Sequence, residues 1–211
     1  MRTLVIDTAT LALSLALFDD AACVAEASTR VGRGHAERLL PAIAALPNGG
    51  LADTIAVDVG PGSFTGVRIG VAAARALAFA WGVPLNGYSS LSLIAATVKQ
   101  QFSPEGAFPV VITGGHGELF WQMFAPDTAC ATTPLRSTAI SALAVTLTNA
   151  VVYGSGSTAL VDARGFGDAI DVEIDTAHYA FMNSIDRTLP ATPLYGRGAD
   201  AMPMAGMAAL A

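Results

Sequence analysis

Hydrophobic positions along the chain change period several times, and each change marks an element. Residues 3–8 (TLVIDT) form a short apolar run, and in residues 11–18 (LALSLALF) Leu13, Leu15 and Leu17 alternate with small or polar neighbours. Period two is the mark of a half-buried strand. Together with 22–28 (ACVAEAS), and a turn at Asp19-Asp20, these segments predict a three-stranded antiparallel meander. The pattern then turns helical in GHAERLLPAIAAL, where Leu39, Ile43 and Leu46 share a face and Glu37 and Arg38 lie elsewhere. Pro41 falls inside this run and predicts a kink, or a helix that starts nearer to it.

Residues 54–59 (TIAVDV) read as a buried strand. A loop, GPGSFTG, and a long apolar helical run from Thr65 to Trp81 follow, ending before Gly82 and Pro84. With VPLNG as the next strand, this is a βαβ unit. Ser89 or Ser90 caps a further helix through Val98. Pro, Gly and polar residues gather at 100–108 (QQFSPEGAF), where a boundary is expected. The second half reads as strands FPVVIT and ELFWQMFA, a helix AISALAVTLT, a strand AVVYG and a last helix TAHYAFMNSI, in an order that faintly repeats the first. The expected layout is an N-terminal subdomain at 1–104, a smaller α/β subdomain at 105–198, and a disordered tail at 199–211.

Composition narrows the classes. The 211 residues are 53% hydrophobic and 13% charged, with a mean hydropathy of +0.52. That raises the question of a membrane segment. The densest apolar stretches, 71–81 and 139–152, are broken by Arg75 or by Ser141, Thr146, Thr148 and Asn149, and both fall short of the ~18 uninterrupted residues of a span. The N-terminus imitates a secretory signal, but Asp7 and the period-two leucines favour a strand hairpin. Cys23 and Cys130 lie far apart without a CxxC pair, the pattern of two buried thiols in a reducing cytosol. A net charge of −6 with a single lysine, Lys99, gives no broad nucleic-acid footprint, so any RNA would be reached through a partner.

Candidate chemistry concentrates at the loop. Gly60, Gly62 and Gly66 free the backbone there, while Ser63 or Thr65 can cap a helix whose first amides point back at the loop. That is a recipe for anion binding. It is equally the recipe for a tight βα connection, and neither the GK[ST] of a P-loop nor a dinucleotide fingerprint is present. Asp7, Gly60, Gly62 and Ser63 are the candidate nucleotide-binding residues, since the "IDT" before a hairpin is where actin-like phosphotransferases place a metal-associated aspartate. In the following helix Gly66, Gly70, Ala74 and Ala78 form a strip of small residues, and Arg68, Ala72, Arg75 and Phe79 a second strip. Such a helix is either a core helix with snorkelling arginines or one that meets a partner protein. His35, His116 and His178 have no metal-ligand spacing among them.

Taken in order, MRTLVIDTATLALSLAL, HAERLLPAI and VDVGPGSFTGVRIGVAAARALAFAWGVPLNGYSSL closely resemble the N-terminal half of the TsaB (YeaZ) family, over residues 1–98. The resemblance implies an actin-like, RNase H-like (ASKHA) fold of two α/β subdomains with mixed sheets, and a cytoplasmic role in making threonylcarbamoyladenosine on tRNA. It implies an accessory subunit rather than an enzyme. TsaD, the similar transferase, holds its metal through two histidines, and Ser90 and Ile94 stand at those places here. The implied partners are a TsaD-like transferase, bound through two helices, a TsaE-like ATPase, and a second copy when the transferase is absent; tRNA is contacted only indirectly. No cofactor is required by this chain, and ATP or ADP would sit at the partner interface. Carried over by residue, the partner-binding set is His35, Leu39, Leu40 and Pro41 with Val67, Arg68, Ile69, Val71 and Arg75. The second half departs from the family. Its Asp-Ala-Arg-x-Gly-Glu stretch reads TGGHGE here, keeping Gly117 and Glu118, and Tyr195 and Arg197 are displaced in TPLYGRGAD. The runner-up reading is a stand-alone actin-like ATPase using Asp7. A peptidase finds neither a nucleophile with a nearby base nor a metal pair.

Overall fold

The structure is a computed structural model and describes residues 1–32 and 34–194. Tyr195, Arg197 and the expected tail at 199–211 lie outside the described residues. Among the described residues two five-stranded sheets repeat one topology. In the first, β1 (Arg2–Asp7), β2 (Ala12–Asp19) and β3 (Ala22–Arg30) form the antiparallel meander, and β4 (Thr54–Asp58) and β5 (Leu85–Tyr88) add in parallel on the other side of β1. The second sheet does the same with β6 (Phe108–Thr113), β7 (Glu118–Phe124) and β8 (Arg136–Ala139), then β9 (Val151–Tyr153) and β10 (Asp168–Ile170) parallel to β6.

Among the described residues five helices cover these sheets: α1 (His35–Ala44), α2 (Phe64–Trp81), α3 (Ser90–Phe102), α4 (Ile140–Thr146) and α5 (Ser157–Arg164). The period-two pattern decides the layers. Leu13, Leu15 and Leu17 face one side and pack with Leu39 and Ile43 of α1 and Val67, Val71 and Ala74 of α2. Ala16 and Phe18 face the other side and join the core that holds α3 and the inner face of the second sheet. All nine residues from Ser90 to Val98 are buried, which is why α3 reads as apolar on every side. The outer face of the second sheet packs Val111, Leu119 and Val152 against Leu143 of α4 and Leu160 of α5.

Four expectations are corrected, the first being thiol burial: Cys23 is exposed and Cys130 half-buried. The stretch after Ile170, expected within the second subdomain, leaves that subdomain's sheet. After Ile170 the chain returns to the first sheet as a strap, tied by Thr176 N–H to Ser14 Oγ (3.2 Å), by Gly87 N–H to the Leu189 carbonyl (2.6 Å) and by Leu194 N–H to the Val59 carbonyl (2.7 Å). The last helix is only a 3-10 stretch, Thr176–Phe181. The helix around Pro41 begins at His35 and runs through the proline, which is exposed. Strands β8 and β10 and helix α5 escape the sequence reading because they are short and weakly patterned.

Candidate functional site

The glycine loop joins β4 to α2 and meets the turn that follows β1. Ser63 caps α2, its Oγ accepting from Gly66 N–H (3.1 Å). Ser63 N–H donates to the Ala9 carbonyl (2.7 Å), and the Thr8 hydroxyl donates to the Gly66 carbonyl (2.7 Å). A β-carbon on Gly62 would collide with the Ala9 carbonyl, and one on Gly66 with the Thr8 carbonyl. The glycines therefore admit the chain's own backbone: Gly62 and Gly66 let the loop press against the β1–β2 turn. The amides of Gly60, Ser63, Gly66 and Val67 all donate within the chain. The structure thus brings the four candidate nucleotide residues together as a closed joint, with Asp7 at its floor.

Asp7 is fully buried, and the structure adds a residue the sequence reading missed. Asp58 ends β4 beside it, because β1 and β4 run parallel with Ile6 opposite Val57. Asp58 accepts from Gly60 N–H (2.5 Å) and from the Ser90 hydroxyl (2.7 Å). Asp7 accepts from Ala9 N–H (2.9 Å) and lies 3.4 Å from the Tyr88 hydroxyl, which also reaches the Ile6 carbonyl (3.0 Å). Burial, then the neighbouring Asp7 charge, pushes the Asp58 carboxyl well above the usual carboxylate range. Burial also raises Asp7, offset by hydrogen bonds from Asp58, Ala9 and Tyr88. Sharing one proton between the two carboxyls would relieve their repulsion, and Asp58 is the more strongly raised of the pair. A second acid placed directly before the loop, in "VDVG", was the signal available in the sequence.

The nine partner-binding candidates divide in two. His35, Leu39, Val67 and Val71 are buried in the first subdomain's own core, and the His35 ring Nε2 lies 3.3 Å from the Ala12 carbonyl. These four are not available to a partner, because α1 and α2 turn them toward the sheet. The strip Gly66, Gly70, Ala74 and Ala78 is buried likewise; a β-carbon on Gly70 would lie 2.5 Å from Thr8 Oγ1. Leu40 (52% exposed), Pro41, Arg68 and Arg75 reach the surface and Ile69 is half-buried.

The exposed face of α2 runs through Phe64, Arg68, Ala72, Ala76 and Phe79, the last 91% exposed. Arg68 lies over the Phe64 ring at 3.6 Å, and Arg75 donates to the Ala191 carbonyl (2.8 Å). By length and composition α2 is long and apolar enough to cross a membrane, with a third of it buried in the protein.

Ser90 and Ile94 are both buried in the core. Among the described residues no three of His, Cys, Asp and Glu converge as metal ligands would. His116 sits at positive φ in the β6–β7 turn, and His178 lies beside Asp175.

Comparison with known proteins places this geometry. The profile of the family described as TsaD, tRNA N6-adenosine threonylcarbamoyltransferase, matches residues 28–132. The tRNA threonylcarbamoyladenosine biosynthesis protein TsaB of Bacillus subtilis is 40% identical over 101 residues, covering 46% of this chain and 44% of that protein. TsaB of Escherichia coli is 37% identical over 134 residues, covering 60% and 56%. The chain is similar to the TsaB (YeaZ) proteins over about half of its length.

The chain spans about half the length of the curated TsaB relatives it matches. The solved structure of YeaZ from Pseudomonas aeruginosa superposes with a TM-score of 0.75 at 24% identity, over 92% of this chain and 100% of that one. The actin-like architecture of the YeaZ fold therefore extends through the second sheet, where the sequence departs from the TsaB pattern.

Proposed function

We propose that this chain is a non-catalytic subunit that docks a TsaD-like transferase in the cytoplasm and supports threonylcarbamoyladenosine formation on tRNA. The observation that carries the reading is the outer face of α2, where an apolar helix presents Phe64, Ala72, Ala76 and Phe79 to solvent, with Leu40 exposed on the neighbouring α1. An exposed aromatic and alanine face rimmed by arginines is the composition of a protein–protein contact. The closed glycine joint and the buried Ser90 and Ile94 further support an accessory role. ATP or ADP, where it takes part, belongs at the contact with the partner, as does a TsaE-like ATPase. Without a transferase the same face would self-associate.

Co-purification with the TsaD-like protein of the same organism tests the proposal. A complex at micromolar concentration is expected, lost in Phe79→Ser while the melting temperature holds. No complex, or threonylcarbamoyl transfer or ATP hydrolysis by this chain alone, overturns it.

A further inference from the structure

The two sheets have four edge strands, and they are closed very differently. β8 and β10 have four and three residues. β5 is covered by the strap through Gly87 and Leu189. β3 is nine residues long, mostly exposed, and among the described residues its backbone pairs with β2 alone. Its sequence, ACVAEASTR, carries neither proline nor lysine, and its bulge at Val24 lies before the stretch 25–31 that would pair with another strand. An unblunted edge is a template for another strand.

Symmetry and charge together identify the occupant. A two-fold axis perpendicular to the sheet pairs only residues of the same face, so an antiparallel β3–β3 ladder must centre on one residue and its own copy. Centred on Glu26, it sets two carboxylates directly opposite, which is destabilising. Centred on Ser28, it places Glu26 opposite Arg30 of the second copy and Arg30 opposite its Glu26, two ion pairs from one register. Ala27 then faces Thr29 on the other side, and the small side chains along β3 let the strands approach. Glu26, Ser28 and Arg30 lie on one face, opposite Ala16, Ser14 and Ala12 of β2. Arg30 already reaches Glu173 at 3.2 Å on that face, with both side chains well exposed.

We propose that a second copy of this chain adds to the β3 edge as an antiparallel strand in the Ser28-centred register, joining the two first sheets into one. This contact is separate from the α2 face and does not depend on the transferase reading.

Sedimentation of the full chain carrying Phe79→Ser, which removes self-association through α2, tests it from micromolar to millimolar concentration. A reversible dimer is expected. Arg30→Glu, which opposes like charges twice, should weaken it about tenfold or more. Glu26→Arg combined with Arg30→Glu should restore it, while Glu173→Gln leaves it intact. In Cys23→Ser, a Ser28→Cys substitution should form an intermolecular disulfide on mild oxidation. A monomer throughout, a dimer indifferent to Arg30→Glu, or no rescue by the charge swap overturns the proposal.

Discussion

Asp7 and Asp58 face each other at the carboxyl ends of neighbouring parallel strands, both fully buried, and burial pushes both carboxyls up. The pair ties three pieces of chain to one point: the turn after β1 through Ala9, the glycine loop through Gly60, and the start of α3 through Ser90. An unshared pair of buried carboxylates would repel, so the joint depends on Asp58 keeping its proton.

The pH dependence follows from that proton. The folded state raises the Asp58 pKa above its unfolded value near 3.9. Between the two values the folded state binds more protons, so stability falls as pH rises. The contribution is fully present below about pH 4 and is lost as pH climbs through the folded value. Asp58→Asn keeps an acceptor for Gly60 and supplies an amide donor to Asp7 with no proton to lose. Urea unfolding across the pH range should therefore show a flatter profile for Asp58→Asn, with more stability than the parent at alkaline pH. Identical profiles for the two proteins would remove the shared-proton account.

The close approach of the loop to the β1–β2 turn sets a second expectation. A β-carbon at Gly66 has no room beside the Thr8 carbonyl, and the two residues are already tied by the Thr8 hydroxyl donating to the Gly66 carbonyl. Gly66→Ala should lower stability by about 1–3 kcal/mol through this overpacking, although alanine is the better helix former. Gly70→Ala meets the Thr8 side chain instead, which has a rotamer to yield, and should cost less. Thermal melts of the two variants decide the order.

Much of this was legible beforehand. The alternating leucines of β2 and the apolar run of β4 place the sheet, and the glycine loop with Gly82 and Pro84 bounds α2. What failed was the assignment of faces on α2. Val67, Val71 and the Gly66–Ala78 strip seemed suited to a partner, yet they pack on the chain's own sheet because Thr8 and Val57 leave space only for small residues. A helix apolar on every side carries too little moment for the sequence to say which side is inward. The strap was illegible for a different reason: its ties at Gly87 and Val59 are backbone hydrogen bonds, and the Thr176 amide is taken up by Ser14, one small polar residue in an apolar strand, so no side-chain period marks it.

The two faces of α2 should separate cleanly in mutants. Val71→Asp buries an unpaired carboxylate and should cost more than about 3 kcal/mol, unfolding the first subdomain. Phe79→Ser removes a side chain with few contacts in the free protein, so stability should stay within about 0.5 kcal/mol. Circular dichroism melts check both, and they show why only the second variant can report on binding.

The strap is held to the first sheet at its near end by Ser14, whose hydroxyl accepts from Thr176 N–H (3.2 Å) and lies 2.9 Å from the Thr176 hydroxyl. Both residues are buried, so Ser14→Ala strands an amide and a hydroxyl away from water at a cost of about 1–3 kcal/mol. That cost falls on docking of the strap, since Ser14 keeps its backbone pairing with Asp7 and Ser28 in either case. Native-state hydrogen exchange of Ser14→Ala should show amides from 176 to 194, Leu189 and Leu194 among them, opening more readily by about that amount. Amides of β1 and β4 should retain their protection. Equal loss in the strap and the sheet would mean that strap and first sheet unfold as one unit, and that the chain's return across the sheet is part of the subdomain's folding rather than a later docking step.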